Sequence, residues 1–206
     1  MNEYKGKRTF DLIVLVLLAI ITMPYMILTA ILVKSTSVGP ILFTQKRRGK
    51  NGKTFLMYKF RTMVKDADTL KETYRHLNEA EDPLFKIQND PRFTKIGKFL
   101  SHTGLDELPQ LINVLRGEMS IIGPRPLPLE EARNLGKLQQ IREKVRPGIT
   151  STWITSGYHQ LRSSQRIRMD IEYVQNANFL LDVKVIMLTV RLVFRNLSRS
   201  IADKTK

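Results

Sequence analysis

The sequence predicts an α+β protein that is mainly helical, with an apolar N-terminal anchor followed by one small domain. Three observations lead to this fold class. Residues 10–33 form a long apolar stretch behind a basic lead-in, two strand-like runs flank a Gly-Lys-Asn-Gly-Lys turn, and apolar residues elsewhere recur mostly at helical spacing. We place the anchor at residues 1–36 and the domain at residues 37–206.

The composition points to anionic partners. The chain has 206 residues, of which 42% are apolar, so it can hold a substantial core. Its 34 Lys and Arg residues outnumber its 19 Asp and Glu residues, which gives a net charge of +15. Such a charge suits nucleic acid, phosphorylated metabolites or an acidic membrane surface. The absence of cysteine excludes disulfides, zinc–thiolate sites and cysteine nucleophiles.

The apolar stretch predicts a membrane anchor that enters and leaves on the same side. Residues 12–33 as a straight helix would be about 33 Å long, enough to cross a bilayer core of roughly 30 Å. Pro24 lies near the middle and is expected to break or kink the helix. Basic residues flank both ends, and a single crossing would put one flank on the wrong face. We therefore favour a re-entrant helix-break-helix over a straight span, and a straight span over a buried core helix.

The residues after the anchor predict a β-hairpin. Residues 41–44 and 54–60 are strand-like on either side of the turn. Arg47, Arg48 and Lys50 fit a solvated loop beside anionic lipid. Lys59 lies with Arg61 on the basic face of the second strand, and the pattern leaves open whether that face meets a phosphate or water.

The stretch of residues 104–126 holds the candidate reactive groups. Asp106 and Glu107 are adjacent at the expected start of a helix whose apolar residues recur at three-and-four spacing. Near free backbone N–H groups and the positive end of the helix dipole, such a carboxylate is expected to stay ionised at neutral pH. This suits a nucleophile or a metal ligand, although acidic first turns are also ordinary helix starts.

A rigidly placed arginine follows the carboxylate pair. Residues 120–122 are predicted to form a short buried strand, and a Gly-Pro-Arg-Pro motif around Arg125 forces a non-helical exit from it. Since Arg is suited to bidentate phosphate binding, Arg125 is a candidate phosphate ligand. His102 could act as a general base, but a single histidine without a visible partner is more often structural.

The C-terminal third adds a second basic turn and an amphipathic region. Arg146 lies in an Arg-Pro-Gly-Ile-Thr motif at residues 146–150. Residues 168–199 are predicted to be helical, with an apolar face rimmed by Lys and Arg. Such a face suits a helix lying in the membrane interface, and docking on the protein's own core is an equal alternative.

Together these motifs resemble the small monotopic polyprenyl-phosphate phosphoglycosyl transferases, the bacterial sugar transferase family. The match runs from about residue 8 to residue 194, and its specificity comes from the order and spacing of several motifs. These are the apolar hairpin centred on Pro24, YKFRTM at residues 58–63, LDELPQL at residues 105–111, GEMS at residues 117–120 running into GPRP at residues 123–126, RPGIT at residues 146–150, and Asp170 with Tyr173.

The resemblance implies a reaction and a location. The expected activity is transfer of a sugar-1-phosphate from a UDP-sugar to undecaprenyl phosphate with release of UMP, which initiates synthesis of an exopolysaccharide, capsule or other surface glycan. The catalytic domain, with its interfacial amphipathic helices, would lie at the cytoplasmic face of the bacterial cell membrane. No nucleic acid partner is expected, and the sequence leaves a homodimer open.

The resemblance also assigns roles to individual residues. Asp106 would attack the β-phosphorus and form a phosphosugar–aspartyl intermediate. Glu107, with Asp106, would hold Mg²⁺. The residues carried over as substrate or phosphate ligands are Arg125, Lys59, Arg146 and Asp170.

Two departures from the family pattern and one alternative function remain. Residues 101–103 are Ser-His-Thr where the family often has an Arg, which bears on one phosphate or lipid contact. Where the family continues with a glycine and later Gly-Arg, this chain has Ser151-Thr152-Trp153 and then Gly157-Tyr158, which puts the sugar's identity in doubt. The alternative is a membrane-tethered basic protein that binds anionic lipid or nucleic acid without turnover. Rigid turns around an acidic pair argue against it, because a phosphate-backbone binder is expected to present an uninterrupted basic stripe.

Overall fold

The computed structural model describes residues 3–79, 85, 87–156 and 161–202. In this part of the chain the fold is mainly helical, with two small two-stranded sheets. The helices are α1 Lys7–Thr36, α2 Leu70–Thr73, α3 Gly97–Thr103, α4 Gln110–Leu115, α5 Leu129–Asn134, α6 Lys137–Arg142, α7 Thr152–Thr155, α8 Ser163–Asn176 and α9 Phe179–Ala202, and the strands are β1 Leu42–Arg48, β2 Thr54–Phe60, β3 Ser120–Ile122 and β4 Gly148–Thr150.

The anchor is one helix rather than two. Pro24 lies inside α1 and does not divide it, so the predicted helix-break-helix is corrected to a continuous helix. An interior proline removes a single N–H donor, and the helix continues past it here. By length and composition α1 could cross a membrane. Its re-entrant path stays a prediction.

Both halves of α1 pack against the same domain. Leu15, in the first half, belongs to the main core with Met57 and Val114, whereas Val33, near the end, packs with Phe60 and Leu100. The opposite face is apolar and exposed along the middle of the helix. Its large side chains, each more than half exposed, are Ile13, Val16, Leu17, Ile20, Ile21, Met23, Tyr25, Ile27, Leu28 and Ile31.

A buried polar network fixes the start of α1 to the C-terminal helices. The Lys7 ammonium contacts Asp11 at 3.0 Å and Asp182 of α9 at 2.8 Å. Tyr173 of α8 donates a hydrogen bond to Asp182, and Ser120 of β3 donates one to Asp11, each at 2.8 Å. These groups are almost fully buried, so the anchor and the domain share one core.

The predicted hairpin is confirmed. β1 and β2 pair antiparallel from Leu42 opposite Phe60 to Arg48 opposite Thr54. The turn between them contains Asn51, whose φ of 55° lies in the left-handed region that Asn tolerates better than most residues. β1 runs on to Arg48 rather than ending at residue 44, and this lengthening moves Arg47 from the expected loop into the sheet.

The second sheet joins segments far apart in sequence. β3 pairs parallel with β4, with Ser120 opposite Gly148 and Ile122 opposite Thr150. The close approach requires glycine, because a Cβ at Gly148 would lie 2.1 Å from the backbone nitrogen of Gly123. The strand over residues 120–122 was predicted, whereas its pairing was not.

For the last helix, α9, the sequence left open a position in the membrane interface and docking on the protein's own core. The structure shows both a docked face and an exposed apolar face. Asp182 and Val185 of α9 are buried against the core. Leu180 and Met187, by contrast, are 76% and 61% exposed. One face of α9 is therefore docked, and its opposite face presents apolar side chains to the surroundings.

Candidate active site

The two central carboxylates lie on a tight turn between α3 and α4. Gly104 ends α3 with a φ of 77°, a conformation that costs glycine little. One turn of 3₁₀ helix, Leu105–Glu107, follows and carries Asp106 and Glu107. Pro109 then precedes α4 as its N-cap. The predicted helix start is thus a separate short turn, which directs the two neighbouring side chains into different surroundings.

Asp106 is a buried carboxylate with a raised pKa. It is 6% exposed, and its Oδ2 lies 3.8 Å from the Nζ of Lys59. Burial raises the pKa of Asp106 to about 6, although the charge of Lys59 opposes the shift. The helix-start argument predicted an acid stabilised in its ionised form, and burial outweighs that effect. With a pKa near 6, Asp106 is still mostly ionised at neutral pH.

Glu107 is held between two cations. Lys59 Nζ donates to its Oε1 at 2.7 Å, and the Arg125 guanidinium donates to Oε1 at 2.5 Å and to Oε2 at 3.3 Å. Burial alone would raise the pKa of Glu107, but the charges of Arg125 and Lys59 outweigh it and hold that pKa well below its usual range. Glu107 thus stays ionised and fixes both cations beside Asp106.

The backbone of Arg125 is itself held by a buried network. Arg142 of α6 donates to the Arg125 carbonyl oxygen at 2.6 Å and, through Nε and Nη2, to Asp170 Oδ2 at 3.1 and 2.8 Å. Trp153 donates its Nε1–H to Asp170 Oδ1 at 2.9 Å. Burial raises the pKa of Asp170 to about 6 against the opposing charge of Arg142. Asp170 therefore reaches the carboxylate pair through Arg142 and the Arg125 backbone.

The structure brings some of the predicted site residues together and places others elsewhere. Asp106, Glu107, Lys59 and Arg125 form one cluster. Arg146 instead pairs with Glu3 at 2.6 Å and donates to the Gly117 carbonyl at 3.0 Å. Neither Arg146 nor Asp170 contacts the cluster through its side chain in the described residues. Their assignment as substrate ligands stays a prediction.

A cavity of about 1400 Å³ opens next to this cluster and is lined by Asp106 and Lys59. Among the described residues that line it, Lys and Arg number seven and Asp three. This excess of positive charge suits anionic ligands. His102 also lines the cavity, but its ring packs edge-on against Phe93 and its Nε2 lies 3.1 Å from the Gln88 carbonyl oxygen. These contacts agree with a structural role for His102.

Sequence reasoning missed two arginines. Arg47 was assigned to a solvated loop, but it lies in β1, lines the cavity and donates to the Pro126 carbonyl at 3.0 Å. Burial and the nearby charge of Arg125 lower its pKa to about 10. Arg142 was not singled out at all. Arg47 could have been found by continuing the strand alternation past residue 44, whereas no local pattern marks Arg142.

The carboxylate pair suits a magnesium ion only together with a phosphorylated ligand. No group of three or more His, Cys, Asp or Glu side chains converges in the part of the chain that the structure describes. Mg²⁺, however, is commonly bound by one or two carboxylates plus substrate phosphates. Glu107 Oε2 accepts one long contact, at 3.3 Å, and Asp106 Oδ2 lies 3.8 Å from the Lys59 ammonium, beyond hydrogen-bond distance. Both oxygens thus retain lone pairs for a metal.

Comparison with known proteins decides the family. A family model described as bacterial sugar transferase matches residues 2–196. The chain belongs to the bacterial sugar transferase family. The resemblance seen in the sequence motifs is thereby confirmed, and with it the prediction that the chain is a transferase of this family.

Curated members of the bacterial sugar transferase family include relatives of different lengths. The chain is 37% identical over 192 residues to the exopolysaccharide production protein ExoY of Sinorhizobium fredii, covering 91% of this chain and 85% of ExoY. It is 37% identical over 198 residues to the UDP-glucose:undecaprenyl-phosphate glucose-1-phosphate transferase of Escherichia coli, covering 92% of this chain and 40% of that protein. Against the galactosyl transferase CpsE of Streptococcus agalactiae, identity is 40% over 156 residues, 75% of this chain and 35% of CpsE. The chain thus spans less than half the length of the last two relatives.

The departures from the family pattern fall at two places in this bacterial sugar transferase. Ser101 lies on α3 and lines the cavity, one helical turn after Lys98, which also lines it. Ser151 is 2% exposed, and its buried hydroxyl has no hydrogen-bond partner in the described residues. Gly157 and Tyr158 lie outside the described residues.

Proposed function

We propose that this chain transfers a sugar-1-phosphate from a UDP-sugar to undecaprenyl phosphate, releases UMP, and acts through a covalent intermediate on Asp106. The observation that carries the proposal is the contrast within the carboxylate pair. Glu107 is fixed by direct contacts with two cations, whereas Asp106 lines a basic cavity and its Oδ2 lies 3.8 Å from the Lys59 ammonium. The names of the relatives support a donor of this kind and the undecaprenyl phosphate acceptor.

In the first step the Asp106 carboxylate attacks the β-phosphorus of the UDP-sugar. A bond forms between an Asp106 oxygen and phosphorus, and the bond from that phosphorus to the bridging oxygen breaks, so UMP leaves with the electron pair. No proton need be removed from Asp106, because a pKa of about 6 leaves most of this carboxyl ionised at neutral pH. A covalent acyl phosphate divides one difficult displacement into two easier ones.

In the second step an oxygen of undecaprenyl phosphate attacks the same phosphorus. The phosphorus–Asp106 bond breaks, and the carboxylate returns to its starting state. Both steps bring anions towards a carboxylate, so the site needs fixed positive charge. Lys59 lines the cavity 3.8 Å from Asp106 and supplies such charge. Arg125, held on Glu107, supplies a second fixed cation beside the pair.

Mg²⁺ is proposed as the cofactor, with Glu107 and Asp106 as its protein ligands and the donor phosphates completing the coordination. When bound, the ion neutralises charge on the phosphates. Glu107 suits this role because its low pKa keeps it ionised throughout the physiological range.

The anchor is proposed to be re-entrant, with the domain on the cytoplasmic face. Both halves of α1 contact one domain, and a helix that crosses the bilayer straight could not place both there. Because the chain has no cysteine, single cysteines at Lys5 and Lys34 can be labelled from either side of the membrane. Cytoplasmic labelling of both supports the re-entrant path. Labelling of the two from opposite sides would establish a span.

The experiment that tests the activity measures UMP release by purified protein in detergent. A panel of UDP-sugars is supplied with or without undecaprenyl phosphate, and with Mg²⁺ or EDTA. We expect sustained release that needs both the lipid and the metal, and that Asp106→Asn abolishes. The sugar that responds identifies the donor.

A matched control is Asp68→Asn, which removes an exposed carboxylate that lines the same cavity. This variant should keep most of the activity, because Asp68 is not part of the carboxylate cluster. If folded wild-type protein releases no UMP from any donor, the proposal fails. Anion binding that survives Asp106→Asn without turnover would then favour a non-catalytic binding protein.

A further inference from the structure

The cavity is larger than one ligand of ordinary size requires. Ligand pockets for small molecules typically measure about 300–1,000 Å³. The cavity beside Asp106 measures about 1400 Å³ and continues to side chains on β1, α3 and α9. It therefore has room for a group beyond the one that reacts at Asp106.

One part of the cavity lining is both apolar and exposed. Phe43 of β1, Phe99 of α3 and Val193 of α9 line the cavity, and they are 38%, 43% and 46% exposed. We call these three residues the cavity mouth. Large apolar side chains that line a cavity and remain open to the surroundings suit a ligand that is itself apolar where it leaves the protein.

The cavity mouth lies on or next to segments that contact the two helices with exposed apolar faces, α1 and α9. Phe99 is adjacent to Leu100, which packs against Val33 of α1. α3 also contacts α9, and α9 contributes Val193 to the cavity lining. The mouth thus lies beside the proposed membrane-facing surfaces, where a hydrocarbon chain need not pass through water.

Basic side chains accompany the apolar mouth. Lys95 and Lys98 line the cavity and are exposed, and Lys98 directly precedes Phe99 in the chain. Inside, Lys59 contacts both central carboxylates. Apolar side chains at the opening, with Lys95 and Lys98 among the exposed lining residues and Lys59 further inside, match a molecule with a hydrocarbon tail and an anionic head.

We propose that the cavity mouth, Phe43, Phe99 and Val193, receives the isoprenoid chain of the acceptor lipid phosphate and guides its phosphate towards Asp106. The inference rests on the proposed function and extends it to the binding site of one substrate. The UDP-sugar does not need this opening, since a soluble donor has no chain to leave in the membrane. Substitutions at the mouth should therefore affect the acceptor and spare the donor.

The kinetic test separates the two substrates in Phe99→Asn and Val193→Asn. Exchange of labelled UMP into the UDP-sugar needs only the donor, and we expect its rate and the donor KM to stay within about twofold of wild type. The KM for undecaprenyl phosphate should rise about tenfold. For geranyl phosphate, which has a much shorter chain, the rise should be smaller. The control Leu180→Asn removes an apolar side chain of α9 that is 76% exposed and does not line the cavity. It should leave all these values unchanged.

Equal rises in KM for undecaprenyl phosphate and geranyl phosphate would overturn the assignment of the mouth to the isoprenoid chain. A loss of UMP exchange would overturn it as well. So would an unchanged KM for undecaprenyl phosphate in both mouth variants.

A second measurement does not depend on turnover. In it, a polyprenyl phosphate with a photoactivatable group on its chain is cross-linked to Asp106→Asn protein. Labelling of peptides that contain Phe43, Phe99 or Val193 supports the proposal even if the wild type shows no exchange. Labelling confined to the exposed face of α1 refutes it.

Discussion

Replacing Asp106 by Asn is expected to abolish activity and stabilise the fold. Burial raises the pKa of Asp106 from 3.8 to about 6, so ionising it in the folded protein is unfavourable. At pH 7.5 a pKa raised by this much lowers the free energy of unfolding by about 3 kcal/mol. The buried amide of Asn also has a desolvation cost, so we expect a net gain of about 1–2 kcal/mol. For a chain of this size that is a rise in Tm of roughly 2–8 °C.

Glu107→Gln is the matched control and should act in the opposite direction. Because Arg125 and Lys59 lower the pKa of Glu107, its charge stabilises the folded state. Removing that charge takes from Lys59 and Arg125 the carboxylate that both contact directly. The expected loss is about 1–3 kcal/mol, below the range for fully buried pairs, since Arg125 is 34% exposed.

The pH dependence of Tm provides a second test of the predicted stabilisation by Asp106→Asn. The destabilisation by Asp106 is fully present above its folded pKa of about 6 and disappears as the pH falls towards 3.8. The difference in Tm between Asp106→Asn and wild type should therefore be largest near pH 7.5 and shrink by pH 5. Thermal unfolding followed by circular dichroism and by fluorescence of the single tryptophan measures it. A Tm of Asp106→Asn at or below wild type, or a rise in Glu107→Gln, would refute the reasoning.

Three further predictions concern the surroundings of the carboxylate pair. Lys59→Met should move the acid limb of the pH–rate profile up by roughly one unit, because Lys59 lowers the pKa of Asp106; an unmoved limb would exclude this coupling. Arg142→Gln should lower kcat by about tenfold or more, since it frees the Arg125 carbonyl. Arg142→Lys should restore part of the rate. An equal loss of kcat in both variants, together with a lowered Tm, would point to a purely structural role. Gly148→Ala should destabilise the domain by about 3 kcal/mol, because its Cβ would lie 2.1 Å from a backbone nitrogen; a Tm within 2–3 °C of wild type would contradict this.

Local patterns in the sequence were sufficient for the elements that carry their own signals. The hairpin over β1 and β2 follows from a Gly-Asn-containing turn between strand-like runs, and β3 follows from an apolar run ended by a proline motif. The adjacency of Asp106 and Glu107 is a property of the sequence itself. These features depend on contacts between residues close in the chain, which periodicity and turn chemistry describe.

Contacts between distant segments account for what was missed. The Arg142–Asp170 pair joins α6 to α8, and β4 reaches β3 only through the parallel pairing of the two strands. The raised pKa of Asp106 could not be predicted from the sequence for the same reason. A helix-start argument counts nearby N–H groups, whereas burial depends on how α3, α4 and β2 pack together. No pattern within a single helix or strand contains that information.

The difference between the two adjacent carboxylates is itself an argument about mechanism. A carboxylate whose pKa is lowered by two bound cations is a poor nucleophile, because attack would require it to give up those contacts. A neighbouring carboxylate that is buried, with a raised pKa and one cation at 3.8 Å, keeps its lone pairs available to an incoming phosphorus. Opposite pKa shifts in paired titratable groups commonly mark different catalytic roles. The tight turn at Gly104 produces this division, since it places Asp106 towards the cavity and Glu107 towards Arg125.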